Sequence, residues 1–83
     1  MTIDEALKAL GSPKSVAFKD LLKICETFFG ESRIKGSHHI FKTSGPGPTI
    51  NIQPDGKMAK AYQVRPIAKA LEKLKEIKQW IKK

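Results

Sequence analysis

Apolar residues along this chain repeat at two different intervals, and the change of interval separates helices from strands. Over residues 15–30, Ala17 or Phe18, Leu21, Leu22, Cys25, Phe28 and Phe29 recur three and four apart, which gives a helix one apolar face. Ser15 is placed to cap its amino end and Gly30 to end it. Beyond Gly30 the interval drops to two, predicting strands over 31–35, 37–43 and 49–53. Gly36 is the turn between the first two. The run Ser44, Gly45, Pro46, Gly47, Pro48 can continue neither of its neighbours, because two prolines and two glycines break the ladder. A three-stranded antiparallel meander follows.

Helical spacing then returns. Pro54, Asp55, Gly56 and Lys57 read as a turn, after which Val64, Ile67, Ala68, Leu71, Leu74, Ile77 or Lys78, and Ile81 form the apolar face of a helix over 63–81. Trp80 seals its end, and Pro66 falls in its first turn, where a missing amide donor has no partner to lose. A short helical pattern over residues 3–10 precedes all of this and is broken by Gly11, Ser12 and Pro13. The predicted class is α+β: helix, three strands, helix, with a short N-terminal helix and the helices on one face of the sheet. The opposite face is left open, and a site is to be sought there.

Eighty-three residues suit one domain spanning 1–83. No apolar run approaches the roughly 20 residues that cross a bilayer, and the start of the chain has no basic segment followed by an apolar one, so a cytoplasmic protein without membrane association is expected. A lone cysteine, Cys25, excludes an internal disulfide and any zinc site built on several thiolates; its apolar neighbours mark it as a core residue. The net charge of +8 is unevenly spread, since residues 57–83 hold nine basic and two acidic side chains. That excess favours a polyanionic partner, foremost nucleic acid, although a solvated lysine-rich helix face has the same composition.

Both histidines, His38 and His39, lie in the second predicted strand. Side chains alternate along a strand, so His38, Ile40 and Lys42 share one face and His39, Phe41 and Thr43 the other. Adjacent residues that point apart are a poor metal pair, and neither a metal nor another cofactor is expected. Phe41 is the residue suited to lie under the helices, which puts His39 on the inner or rim side and His38 on the open face. One of the two can simply fill a half-buried strand position with its polar tip hydrogen-bonded. His38 is the first candidate for chemistry and His39 the second. An imidazole can take up a proton near neutral pH, and lysines beside it can hold a phosphate, a pairing that suits RNA cleavage by attack of the 2′-hydroxyl.

The runs Gly36-Ser37-His38-His39-Ile40-Phe41 and Ile50-Asn51-Ile52-Gln53, and the segment from Gly56-Lys57 through Tyr62-Gln63-Val64-Arg65, resemble the HicA toxins of bacterial toxin–antitoxin pairs. The resemblance covers about residues 15–75, leaving 1–14 as an extension and 76–83 as a basic helix end. It implies a double-stranded-RNA-binding-like fold, a metal-independent endoribonuclease that cleaves messenger RNA, and an acidic HicB-like antitoxin as partner. It places the essential histidine at His38, and phosphate contacts are expected from Lys35, Ser37, Lys42, Lys57, Lys60 and Arg65. Many members carry a second histidine after the proline that ends the last strand, whereas Pro54 is followed here by Asp55 and Gly56, and Ala61 stands where one branch has proline. The alternative is a non-catalytic RNA-binding or protein-interaction module of the same fold.

Overall fold

The computed structural model describes the backbone of residues 1–42 and 49–81, and the side chains of 1–42 and 49–77. Its elements run α1 (Ile3–Ala9), a 3₁₀ turn (Pro13–Ser15), α2 (Phe18–Phe29), β1 (Arg33–Lys35), β2 (His38–Phe41), β3 (Ile50–Ile52), β4 (Pro54–Asp55), β5 (Met58–Ala59) and α3 (Ala61–Ile81). The architecture is the α+β arrangement predicted: β1, β2 and β3 form an antiparallel sheet in that order, with the helices on one face. Thr43 and the loop over 44–48 lie outside the described residues, as do the side chains of Lys78, Trp80 and Ile81.

One apolar core joins the layers. Phe41, Ile50 and Ile52 project from the sheet onto Leu21, Ile24 and Cys25 of α2 and Val64, Ile67 and Leu71 of α3, while Ile3, Ala6 and Leu10 bring α1 against the same cluster. No polar side chain of the described residues is buried there. The face of α2 differs from its sequence reading in one respect: Ile24 is a fully packed member, and Phe28 and Phe29 are half-buried at the helix end. Along α3 the packed face extends through Leu74, and Ile77 is 50% exposed, so the predicted apolar stripe outruns the core.

The ends of the helices show how distant segments override local signals. Thr2 caps α1 in a reciprocal box: the Glu5 amide donates to Thr2 Oγ1 at 3.1 Å and the Thr2 amide donates to Glu5 Oε1 at 2.9 Å. Ser15, the predicted cap of α2, instead ends the 3₁₀ turn, and the helix starts after Ala17. The reason is β5. The Ala59 amide donates to the Val16 carbonyl and the Phe18 amide to the Lys57 carbonyl, so residues 16 and 17 are held extended as a strand-like partner of Met58. Gly30 ends α2 with φ 88°, as glycine permits.

Two further expectations are corrected. Residues 54–57 belong to a small hairpin, with β4 and β5 paired across Gly56 and Lys57, where a turn alone was expected. Pro66 lies in the second turn of α3, because the helix begins at Ala61, two residues earlier than predicted. Its ring therefore leaves the Tyr62 carbonyl without the amide that an unbroken ladder would supply. Docking of Val64 and Ile67 into the core on either side holds the helix together across this gap.

Candidate functional site: the open face of the sheet

Register places specific side chains on the uncovered face. Arg33 stands opposite Ile40, and Ile40 opposite Asn51; Lys35 stands opposite His38. Directly paired residues share a face, so Arg33, Lys35, His38, Ile40 and Asn51 form one outward surface. The other row holds Ile34, His39 and Ile52, with the pair Phe41 and Ile50; His39, Ile52, Phe41 and Ile50 face the helices, whereas Ile34 lies beyond their cover and is 68% exposed. The strands thus put two cations, one imidazole and one amide on the open face, and no carboxylate.

His38 is half-buried and fixed. Its Nδ1 lies 2.9 Å from Oδ1 of Asn51, on the diagonal between β2 and β3. With the amide oxygen as acceptor, Nδ1 is the donor, and in the neutral ring Nε2 is then the nitrogen with the lone pair. This is the arrangement of a base whose tautomer and orientation are set by a neighbour. Lys35 is directly across the β1–β2 hairpin, and Ser37 occupies its turn beside Gly36, whose φ of 62° suits glycine. A phosphate at this end of the face meets one ammonium, one hydroxyl and one imidazole.

The histidine pair behaves as the alternation predicts. His39 turns inward and packs its ring on Phe18 at the start of α2, with centroids 5.3 Å apart and planes tilted by 59°. Its Nδ1 is buried and has no hydrogen-bond partner among the described residues. His39 is thereby a packing residue on the covered face, and two rings on opposite faces cannot share one ion. Among the described residues, no three His, Cys, Asp or Glu side chains gather into a metal-sized cluster.

The remaining predicted contacts are dispersed. Lys42 is exposed just past the far end of β2 and lies on the His38 face by alternation, about 13 Å along the strand. Lys57 sits at the exposed tip of the hairpin that leaves the His38 end of the sheet. Lys60 is half-buried ahead of α3, its carbonyl accepting from the Gln63 and Val64 amides. Arg65 belongs to the helical layer, where it lines a concavity between α3 and the segment around Leu10 and Pro13. The structure therefore brings Lys35 and Ser37 to His38, keeps Lys42 on the same face at a distance, and sets Arg65 on the other side of the molecule.

Sequence reasoning missed Arg33 and Asn51. Both were assigned to strands, but their side of the sheet follows only from cross-strand register. Gln63 is a further structural residue of this kind: its Oε1 accepts from the Gln53 amide at 2.9 Å and ties the first turn of α3 to the end of β3. None of the helices in the described residues is long and apolar enough to cross a membrane. Compared with known proteins, the chain matches no family model, no curated protein and no solved structure at a significant level.

Proposed function

We propose that this protein is a ribonuclease of the HicA kind, which cleaves RNA through His38. The observation that carries the reading is the 2.9 Å contact between His38 Nδ1 and Asn51 Oδ1, which makes Nδ1 the donor and leaves Nε2 of the neutral ring as the base, on the face that Lys35 shares by register. In the step envisaged, Nε2 removes the proton of a ribose 2′-hydroxyl. The 2′-oxygen bonds to the adjacent phosphorus, the bond from phosphorus to the 5′-oxygen breaks, and the leaving oxygen takes a proton from the imidazolium or from water. Products are a 2′,3′-cyclic phosphate and a 5′-hydroxyl end. A positioned acid–base group contributes on the order of 10²–10⁴ in rate, and Lys35 and Arg33 offset charge on the phosphate.

One observation favours a rival reading. His39 is turned away, so the open face offers a single imidazole for two proton transfers. A sheet with one fixed histidine between cations also suits a module that binds RNA without cutting it. An acidic antitoxin is proposed as the partner that covers this face, since it must neutralise Arg33 and Lys35; that complex weakens as salt rises.

The test is incubation of end-labelled RNA with the purified protein and with His38→Ala, in the presence of a chelator. Cleavage by the wild type alone, leaving cyclic phosphate and 5′-hydroxyl ends, supports the proposal. Ends bearing a 3′-hydroxyl and a 5′-phosphate contradict the mechanism, and equal behaviour of the two proteins contradicts catalysis by His38.

A further inference from the structure

The helical layer has its own concave surface, remote from the sheet's open face. Tyr62, Arg65 and Lys69 lie along one side of α3 and border an open concavity whose other wall is Leu10 and Pro13. Spacings of three and four residues stack them on one helix face, with neighbouring Cβ atoms roughly 5–6 Å apart. Tyr62 is 68% exposed and is the only exposed aromatic among the described residues. Neither Arg65 nor Lys69 makes an ion pair among the described residues, where the single such pair joins Lys75 to Asp4.

An exposed aromatic ring followed along the same helix face by two unpaired cations serves neither core nor helix stability. It matches what a single-stranded nucleic acid requires: a flat face for a base and a line of positive charge for the phosphates that follow it. Leu10 is only 3% exposed, so the apolar surface that the concavity offers comes from Tyr62, Pro13, Pro66 and Ala68. Glu72 also lines the concavity, three residues beyond Lys69 along α3.

We propose that Tyr62, Arg65 and Lys69 form a second nucleic-acid site, which takes an unpaired RNA nucleotide with its base on Tyr62 and its phosphates on the two cations. This rests on the reading that the chain handles RNA, but not on cleavage at His38. The site anchors a strand on the helical layer and leaves the open sheet face to act on another part of it.

The experiment measures binding of a labelled single-stranded oligouridylate by anisotropy, with His38→Ala as the parent so that the RNA survives. Tyr62→Ala should weaken binding about 5- to 100-fold, and Tyr62→Phe should restore it, since stacking needs the ring and not the hydroxyl. Replacing both Arg65 and Lys69 with Ala should flatten the dependence of log K on log salt by about 1.4. Unaltered melting of each variant separates binding from folding. The inference is overturned if Tyr62→Ala binds as the parent does, if Phe fails to rescue, or if polyglutamate competes through Tyr62 as well as RNA does, which would assign the groove to an acidic protein. Loss of cleavage in the His38 test with these shifts intact removes the ribonuclease reading alone; normal cleavage with unshifted binding removes this site alone.

Discussion

Replacing Asn51 with Ala tests the proposed site at its least obvious member. The side chain is exposed and touches His38 through one hydrogen bond of 2.9 Å, so its net worth is that of an ordinary solvent-accessible bond, about 0.5–1.5 kcal/mol. If that energy holds the imidazole with Nε2 outward, its loss lowers the population of the reactive orientation, and cleavage slows about 2- to 13-fold. On the proposed mechanism, removing His38 itself costs more, on the order of 10²–10⁴, because the base is then gone.

The decisive quantity is the coupling between the two. In the His38→Ala background there is no ring left to orient, so Asn51→Ala should change nothing, and the cycle should return the whole Asn51 effect as interaction energy. The assay is single-turnover cleavage of a labelled RNA by the four proteins, with a melting curve for each. A cost to folding larger than about 1.5 kcal/mol is not expected, which in a domain of this size keeps the shift in Tm within about 12 °C. An equal slowing of the residual reaction by Asn51→Ala in both backgrounds would falsify the positioning role, and a loss larger than that of His38→Ala would refute the assignment of the base.

Three other outcomes follow from the fold. Pro66→Ala should stabilise the protein by about 1–2 kcal/mol in urea unfolding, because alanine restores the amide to Tyr62 and the roughly 3 kcal/mol helix penalty of proline exceeds what its rigidity saves in the unfolded chain; a less stable variant refutes this. Leu71→Ala, at a fully buried position, should cost about 2–5 kcal/mol, whereas Ile77→Ala, half exposed, should stay within about 0.5 kcal/mol, and similar losses at both sites would show that the core reaches further along α3. Burial, with a smaller contribution from the Glu26 charge, pushes the Cys25 thiol from 9.0 up to about 12. The thiol should therefore react with a disulfide reagent at pH 8 only as fast as the protein opens, and because the unfolded chain gives up that proton first, the stability of the wild type relative to Cys25→Ala should fall between pH 9 and about 12.

What the sequence made legible depended on contacts within an element. The period of α2 located Leu21 and Cys25 in the core, and alternation in β2 separated His38 from His39 once Phe41 was taken as the inward residue; the structure places all four accordingly. What it hid depended on contacts between elements far apart in the chain. Ser15 has the chemistry of a cap, yet β5, more than forty residues later, pairs with residues 16 and 17 and moves the start of α2. Asn51 illustrates the same limit at the site. Alternation within β3 sets it opposite in sense to Ile50 and Ile52, but only the pairing of Ile40 with Asn51, across a connection of low periodic signal, brings its amide to the His38 ring. A one-residue slip of that register would turn the amide to the core and put an isoleucine beside the imidazole. Burial of Phe41, Ile50 and Ile52 forbids the slip, so the same apolar residues that stabilise the sheet also fix the orientation of the His38 ring.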